Sequence, residues 1–88
     1  MKITLHSSFD KSYRKRISQN KKLVQKVSEK IKIFQNDPKS PILKSHILTG
    51  EKLGYSSFSI TGDIRIVYIQ LNEDEVIFHD IGSHNQVY

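Results

Sequence analysis

Between Met1 and His6 the apolar side chains Met1, Ile3 and Leu5 alternate with Lys2, Thr4 and His6, a period of two that suits a short strand. The period then lengthens. Phe9, Tyr13 and Ile17 recur at every fourth position, which predicts an amphipathic helix over roughly 8–19, with Ser7 and Asp10 at the spacing of a capping box. Asn20 either ends this helix or caps a second one, in which Leu23, Val24, Val27, Ile31 and Phe34 make one apolar stripe and Lys22, Lys26 and Lys30 line another face. The two are expected to pack as a hairpin. Asp37-Pro38 stops the second helix, because a residue before proline is driven out of the α region, and Pro41 extends the loop.

From Tyr55 onward the period returns to two. Phe58 and Ile60 alternate with Ser57 and Ser59, Thr61-Gly62-Asp63 reads as a turn, and Ile64 to Ile69 is apolar on both faces except at Arg65, as expected of a central strand. Asn72-Glu73-Asp74 forms the next turn, Val76 to Ile81 the last strand, and Gly82-Ser83 a break before the tail ending at Tyr88. These patterns predict an α+β fold of order β-α-α-β-β-β, a helical hairpin on a small antiparallel sheet. No repeat, low-complexity stretch or linker divides the chain, so one domain over 1–88 is expected.

Charge adds an asymmetry. Residues 1–52 carry thirteen of the fourteen Lys and Arg against four acids, a net of +9, whereas 53–88 carry Arg65 against five acids, a net of −4. Such a basic half attracts polyanions, whether nucleic acid or an acidic protein, although a lysine-rich helix face also serves solubility alone. The absence of cysteine removes disulfides and thiolate metal sites and fits a reducing compartment, so cytoplasm is the expected location. No stretch has the length of a signal peptide or a membrane span.

Few residues are equipped for chemistry. Arg65 sits in an otherwise Ile/Val/Tyr strand, so its guanidinium must meet solvent, a bound anion, or a carboxylate such as Asp63 or Glu75. His84 follows the Gly-Ser break, and His46 lies in the polar run Lys44-Ser45-His46; either imidazole can exchange a proton near neutral pH. Asp63 reads first as a turn former that bonds its own backbone, Tyr88 as a base-stacking or core aromatic, and His6 and His79 as structural. Metal-free RNA cleavage needs a base for the ribose 2′-OH, an acid for the 5′-oxygen and a cation for the phosphorane. His, Asp and Arg supply all three. His79-Asp80 with His84 matches no familiar metal spacing, and no phosphate loop, dinucleotide glycine pattern or serine elbow is present, so no cofactor is expected.

Together these residues resemble a family. His46-Ile-Leu-Thr-Gly50, Leu53-Gly54-Tyr55, Asp63-Ile-Arg-Ile-Val-Tyr68, Ile81-Gly-Ser-His84 and Val87-Tyr88 are similar, in order and spacing, to the RelE/ParE toxin superfamily and particularly its YafQ-like branch. Phe9-Asp10-Lys11-Ser12-Tyr13 is similar too, so nearly the whole chain is covered. The resemblance implies the toxin of a type II toxin-antitoxin pair, a metal-independent endoribonuclease that cuts mRNA in the ribosomal A site until a cognate antitoxin neutralises it. By position it implies functional roles for His46, His84, Asp63 and Tyr88, while Arg65 matches a phosphate-contacting arginine of the RelE and YoeB branches.

Ser59 departs from the pattern, since the YafQ-like branch has a histidine there and a hydroxyl cannot replace imidazole near neutral pH. By alternation Ser59 points away from Phe58 and Ile60, so it can still line the site and bond a phosphate oxygen. The expected assignment is Asp63 or His46 as base, His84 as acid, Arg65 on the phosphate and Tyr88 on a base or phosphate. Lys22, Lys26, Lys30, Lys44 and Lys52 are expected to contact mRNA and ribosomal RNA. Two alternatives remain: a ParE-like toxin that acts on DNA gyrase and cuts nothing, and a non-toxic RNA-binding module.

Overall fold

A computed structural model describes residues 1–88. Its elements are β1 (Lys2–Leu5), α1 (Ser7–Arg16), α2 (Lys21–Asn36), β2 (His46–Ile47), β3 (Ser56–Ser59), β4 (Ile64–Asn72), β5 (Glu75–Ser83) and α3 (His84–Val87), with short 3-10 turns at Pro41–Leu43 and Gly50–Lys52. The five strands form one sheet in the order β1-β5-β4-β3-β2. β4 is central, as its apolar run predicts.

Three corrections to the expected architecture concern pairing and ends. The sheet is mixed, because β1 lies parallel to β5, with Lys2 opposite Glu75 and Leu5 opposite Phe78; a parallel partner needs a long crossover, and α1 to β4 supply it. A fifth strand, β2, pairs with Ser56 and Ser57. β5 continues through Gly82 and Ser83, so the strand ends two residues later than expected, where Ser83 and Gln86 form a capping box that opens α3. Gly82 leaves room there for two side-chain ends: a Cβ would lie 2.7 Å from both Arg16 Nη1 and Gln86 Oε1 and would displace them.

The helix caps divide between expectation and surprise. Asn20 caps α2, its side chain accepting from the Leu23 N–H at 3.2 Å. α1 ends at Arg16 and is capped not by Ser7 but by His6, whose Nδ1 accepts from the Ser8 N–H at 3.1 Å. Asp10 turns instead to Arg14, 3.1 Å away. His6 therefore lies just outside β1, at a helix start.

The apolar stripes of both helices meet one face of the sheet. Phe9, Ile17, Val27 and Phe34 join Phe58, Ile66, Tyr68, Val76, Phe78 and Ile81 in one core. Phe34 is its hub, stacked on Phe58 with ring centroids 4.5 Å apart and edge-on to Tyr68 at 5.0 Å. Truncating such a ring to alanine costs about 3–5 kcal/mol. The helices are splayed rather than closely paired: between them runs a groove lined by Phe9 and Tyr13 on one side and Val24, Val27 and Ile31 on the other.

A bulge in β5 sets what the second face carries. Val67 pairs with Asp80, but the next residue, Tyr68, pairs with Phe78, which leaves His79 as the extra residue and shifts the alternation by one. Val76, Phe78 and Ile81 thereby all reach the core, and Asp80 and Gly82 turn to the opposite face.

Candidate functional site

Strand alternation builds the site on the face away from α1 and α2. Phe58 and Ile66 are buried in the helix-side core, so their neighbours Ser57, Ser59, Arg65 and Val67 point the other way. Ser59 is directly opposite Arg65, and Ser57 is opposite both Val67 and His46. Directly paired residues share a face, which puts the His46 side chain on this one. His46 thus belongs to an edge strand, not to a loop as its polar surroundings suggest.

Arg65 makes no ion pair, neither with Asp63 nor with Glu75; the salt bridges of the protein are Arg14 with Asp10 and Arg16 with Asp80. Its Nη1 donates to Ser59 Oγ at 3.0 Å, while its Nε is buried without any partner. A buried guanidinium N–H left unpaired is costly. The side chain opens onto a cleft of about 370 Å³ lined by Lys26 and Lys30 of α2, Ile42, Lys44, Ser59 to Gly62 and Arg65. β2 pairs only with Ser56 and Ser57, so at Ser59 the sheet edge is free and α2 flanks it. Four cations and no carboxylate line this cleft, an arrangement that favours an anion.

The chain's last residues cross the same face. α3 follows β5 and contacts β4 as well, and the Tyr88 hydroxyl reaches Ser57 Oγ on β3 at 2.5 Å. Val87 is buried beneath it, as is Val67. His84, exposed at the first turn, meets the Tyr88 ring edge-on with centroids 4.4 Å apart. Asp63 lies at the same end of the sheet: Ile64 pairs with Ser83, so the next residues outward are Asp63 and His84. The Asp63 carboxylate makes no bond to its own turn, contrary to expectation; Thr61 Oγ1 does that work, accepting from the N–H groups of Asp63 and Ile64 at 3.2 and 3.0 Å.

Of the expected residues, Arg65, Ser59, Lys26, Lys30 and Lys44 meet in the cleft. His46, His84 and Tyr88 share its sheet face, and Asp63 lies at the same end of the sheet as His84. Lys22 is exposed but does not line the cleft. Lys52 sits elsewhere on the face, its ammonium 5.8 Å from the centre of the Tyr55 ring. Ser57 was missed by the sequence pattern, although its place two residues before Ser59 was a signal. His79 was read as structural; burial, then the nearby His6, lower its pKa, and Asp80 opposes the shift. No three His, Asp or Glu side chains converge as metal ligands.

A family model described as a bacterial toxin of type II toxin-antitoxin systems, YafQ, matches residues 1–88. The chain belongs to the YafQ toxin family. No protein of curated function matches significantly. Among solved structures, YafQ from E. coli strain BL21(DE3) superposes with a TM-score of 0.81 at 19% identity, over 98% of this chain and 96% of that one. A copper-bound mutant toxin from Helicobacter pylori superposes with a TM-score of 0.80 at 27% identity, over 100% and 99%. The E. coli DinJ-YafQ complex gives 0.78 at 19%, over 98% and 96%. The YafQ fold therefore extends to the mixed five-stranded sheet described above. No helix is long and apolar enough to cross a membrane.

Proposed function

We propose that this YafQ-family toxin is an endoribonuclease that cuts mRNA on the ribosome by side-chain acid-base chemistry, without a metal ion. The observation that carries the reading is the unpaired Arg65 guanidinium, bonded only to Ser59 and opening into a cleft with three lysines and no acid. A scissile phosphate supplies the acceptors that Arg65 lacks. Arginine suits this role because its planar fork donates two parallel bonds to phosphate oxygens.

In the reaction Asp63 or His46 takes the proton from the ribose 2′-OH, and the 2′-oxygen attacks phosphorus. Arg65 holds the developing negative charge of the phosphorane. The bond to the 5′-oxygen breaks as His84 gives that oxygen a proton, leaving a 2′,3′-cyclic phosphate and a free 5′-hydroxyl. Tyr88 stacks on a base or bonds a phosphate oxygen beside His84. Ser59, in place of a third imidazole, acts by orienting Arg65. Lys26, Lys30 and Lys44 guide the RNA backbone, Lys22 and Lys52 meet RNA outside the cleft, and a cognate antitoxin is the regulating partner, as DinJ is for the E. coli toxin.

Translating ribosomes with wild type, Arg65→Ala and His84→Ala test the proposal by primer extension. New mRNA ends are expected with wild type alone. Unchanged mRNA together with a loss of DNA supercoiling by gyrase would reject the nuclease in favour of the ParE-like reading.

A further inference from the structure

Three side chains alternate along β3 on the open face: Tyr55, just before the strand, then Ser57 and Ser59. Two of them hold other residues. Ser59 bonds Arg65 and Ser57 bonds Tyr88. Tyr55 bonds no such partner; its half-buried ring tilts against His79 with centroids 5.1 Å apart, and Lys52 lies at its rim. His79 in turn leans on His6, 4.9 Å away. With its pKa lowered by burial and by His6, His79 is an uncharged aromatic surface at neutral pH.

The spacing of the three stations suggests what they hold in common. Two residues of a strand advance about 6.6 Å, close to the reach of one nucleotide in an extended single strand. A phosphate at Arg65 then has one neighbour beside Tyr88 and a further one over Tyr55. Charge along this path is mixed: Asp80, a carboxylate on this face, is tied to Arg16 at 3.4 Å, and Lys52 lies at the Tyr55 rim, while Glu51 lines the pocket that Lys52 shares with Tyr88.

We propose that Tyr55, backed by His79 and edged by Lys52, is a stacking seat for one nucleobase of single-stranded RNA flanking the scissile phosphate. The proposal rests on the nuclease reading above and adds to it a second contact with the substrate, remote from the reacting atoms. An aromatic face accepts any base, so the seat sets affinity and register rather than base identity.

Binding of an uncleavable 2′-O-methyl tetranucleotide, followed by NMR, separates this idea from the chemistry. Tyr55→Ala should weaken binding by roughly five- to a hundredfold, the usual effect of losing one stacked base, and Tyr55→Trp should bind at least as tightly as wild type. A tetranucleotide made abasic at the seated position should bind wild type as weakly as the intact one binds Tyr55→Ala. Equal affinities for intact RNA and every single-abasic RNA overturn the seat, even where Tyr55→Ala does not fold, because that comparison uses wild type alone. So does an absence of binding to wild type at millimolar RNA, or protection of Tyr55 by an acidic peptide and not by RNA. Failure of the nuclease reading looks different: Tyr55-dependent binding persists while ribosomal mRNA stays uncut.

Discussion

Ser57 and Tyr88, 31 positions apart in sequence, are joined by a 2.5 Å hydrogen bond between their hydroxyls. Ser57 is wholly buried, so this bond pins α3 to β3 and holds the ring against which His84 rests. Ser57→Ala and Tyr88→Phe should each lower stability by about 1 kcal/mol, the usual net worth of one hydrogen bond. Combining them should cost little more than either alone, since both remove the same bond. Urea unfolding of the two single variants and the double variant checks this, and additive losses would show that the hydroxyls act independently.

Arg65 should trade stability against activity. Its Nε–H is buried without an acceptor, and removing an unsatisfied buried donor removes its desolvation cost. Arg65→Met is expected to leave the melting temperature unchanged or raised, while mRNA cleavage falls by roughly 10²–10³-fold, the usual effect of deleting a transition-state donor. Arg65→Lys should recover only part of the activity, because a point charge cannot bond Ser59 and clasp a phosphate together. A melting temperature that drops sharply in Arg65→Met would mean that the side chain is held for the fold.

How far the sequence reveals this site depends on the range of the interaction. A charge inside an apolar strand is a local signal, so Arg65 stands out, and the stripe of α2 with its Asn20 cap is equally local. The bulge at His79 is a backbone event that no side chain announces; without it Asp80 and not Ile81 would be expected in the core. The parallel pairing of β1 with β5 and the Ser57–Tyr88 bond join distant segments, and alternation says which face a residue takes but not which partner it meets there. Ser59 was readable as lying on the site face, yet its hold on Arg65 follows only from strand register.

The lysines divide by position. Lys26 and Lys30 line the cleft beside Arg65, whereas Lys22 on the same helix does not. Lys26→Glu and Lys30→Glu should each reduce ribosome-dependent cleavage more than Lys22→Glu, with melting temperatures little changed, because Lys22 and Lys26 are exposed and Lys30 is only half-buried. Removal of either cleft lysine should also flatten the dependence of RNA affinity on salt, by about one unit of slope per lost phosphate contact. Titration of RNA binding at several salt concentrations checks the ranking; equal effects at all three positions would leave only a diffuse basic surface.

Acid should loosen the His6–His79 corner. The folded-state pKa of His79 is depressed below its ordinary value near 6.5, by burial first and by His6 second, so below that pH the unfolded chain binds protons more readily than the folded one. The resulting stability is fully present above about pH 6.5 and is lost as pH falls through the lower folded value. The Asp80–Arg16 ion pair lies nearby; Asp80 opposes the His79 shift and Lys52 adds to it. Melting temperatures of wild type should therefore decline from pH 7.5 to pH 5, and His79→Gln should flatten the decline. A parallel decline in both proteins would assign the acid sensitivity to other groups.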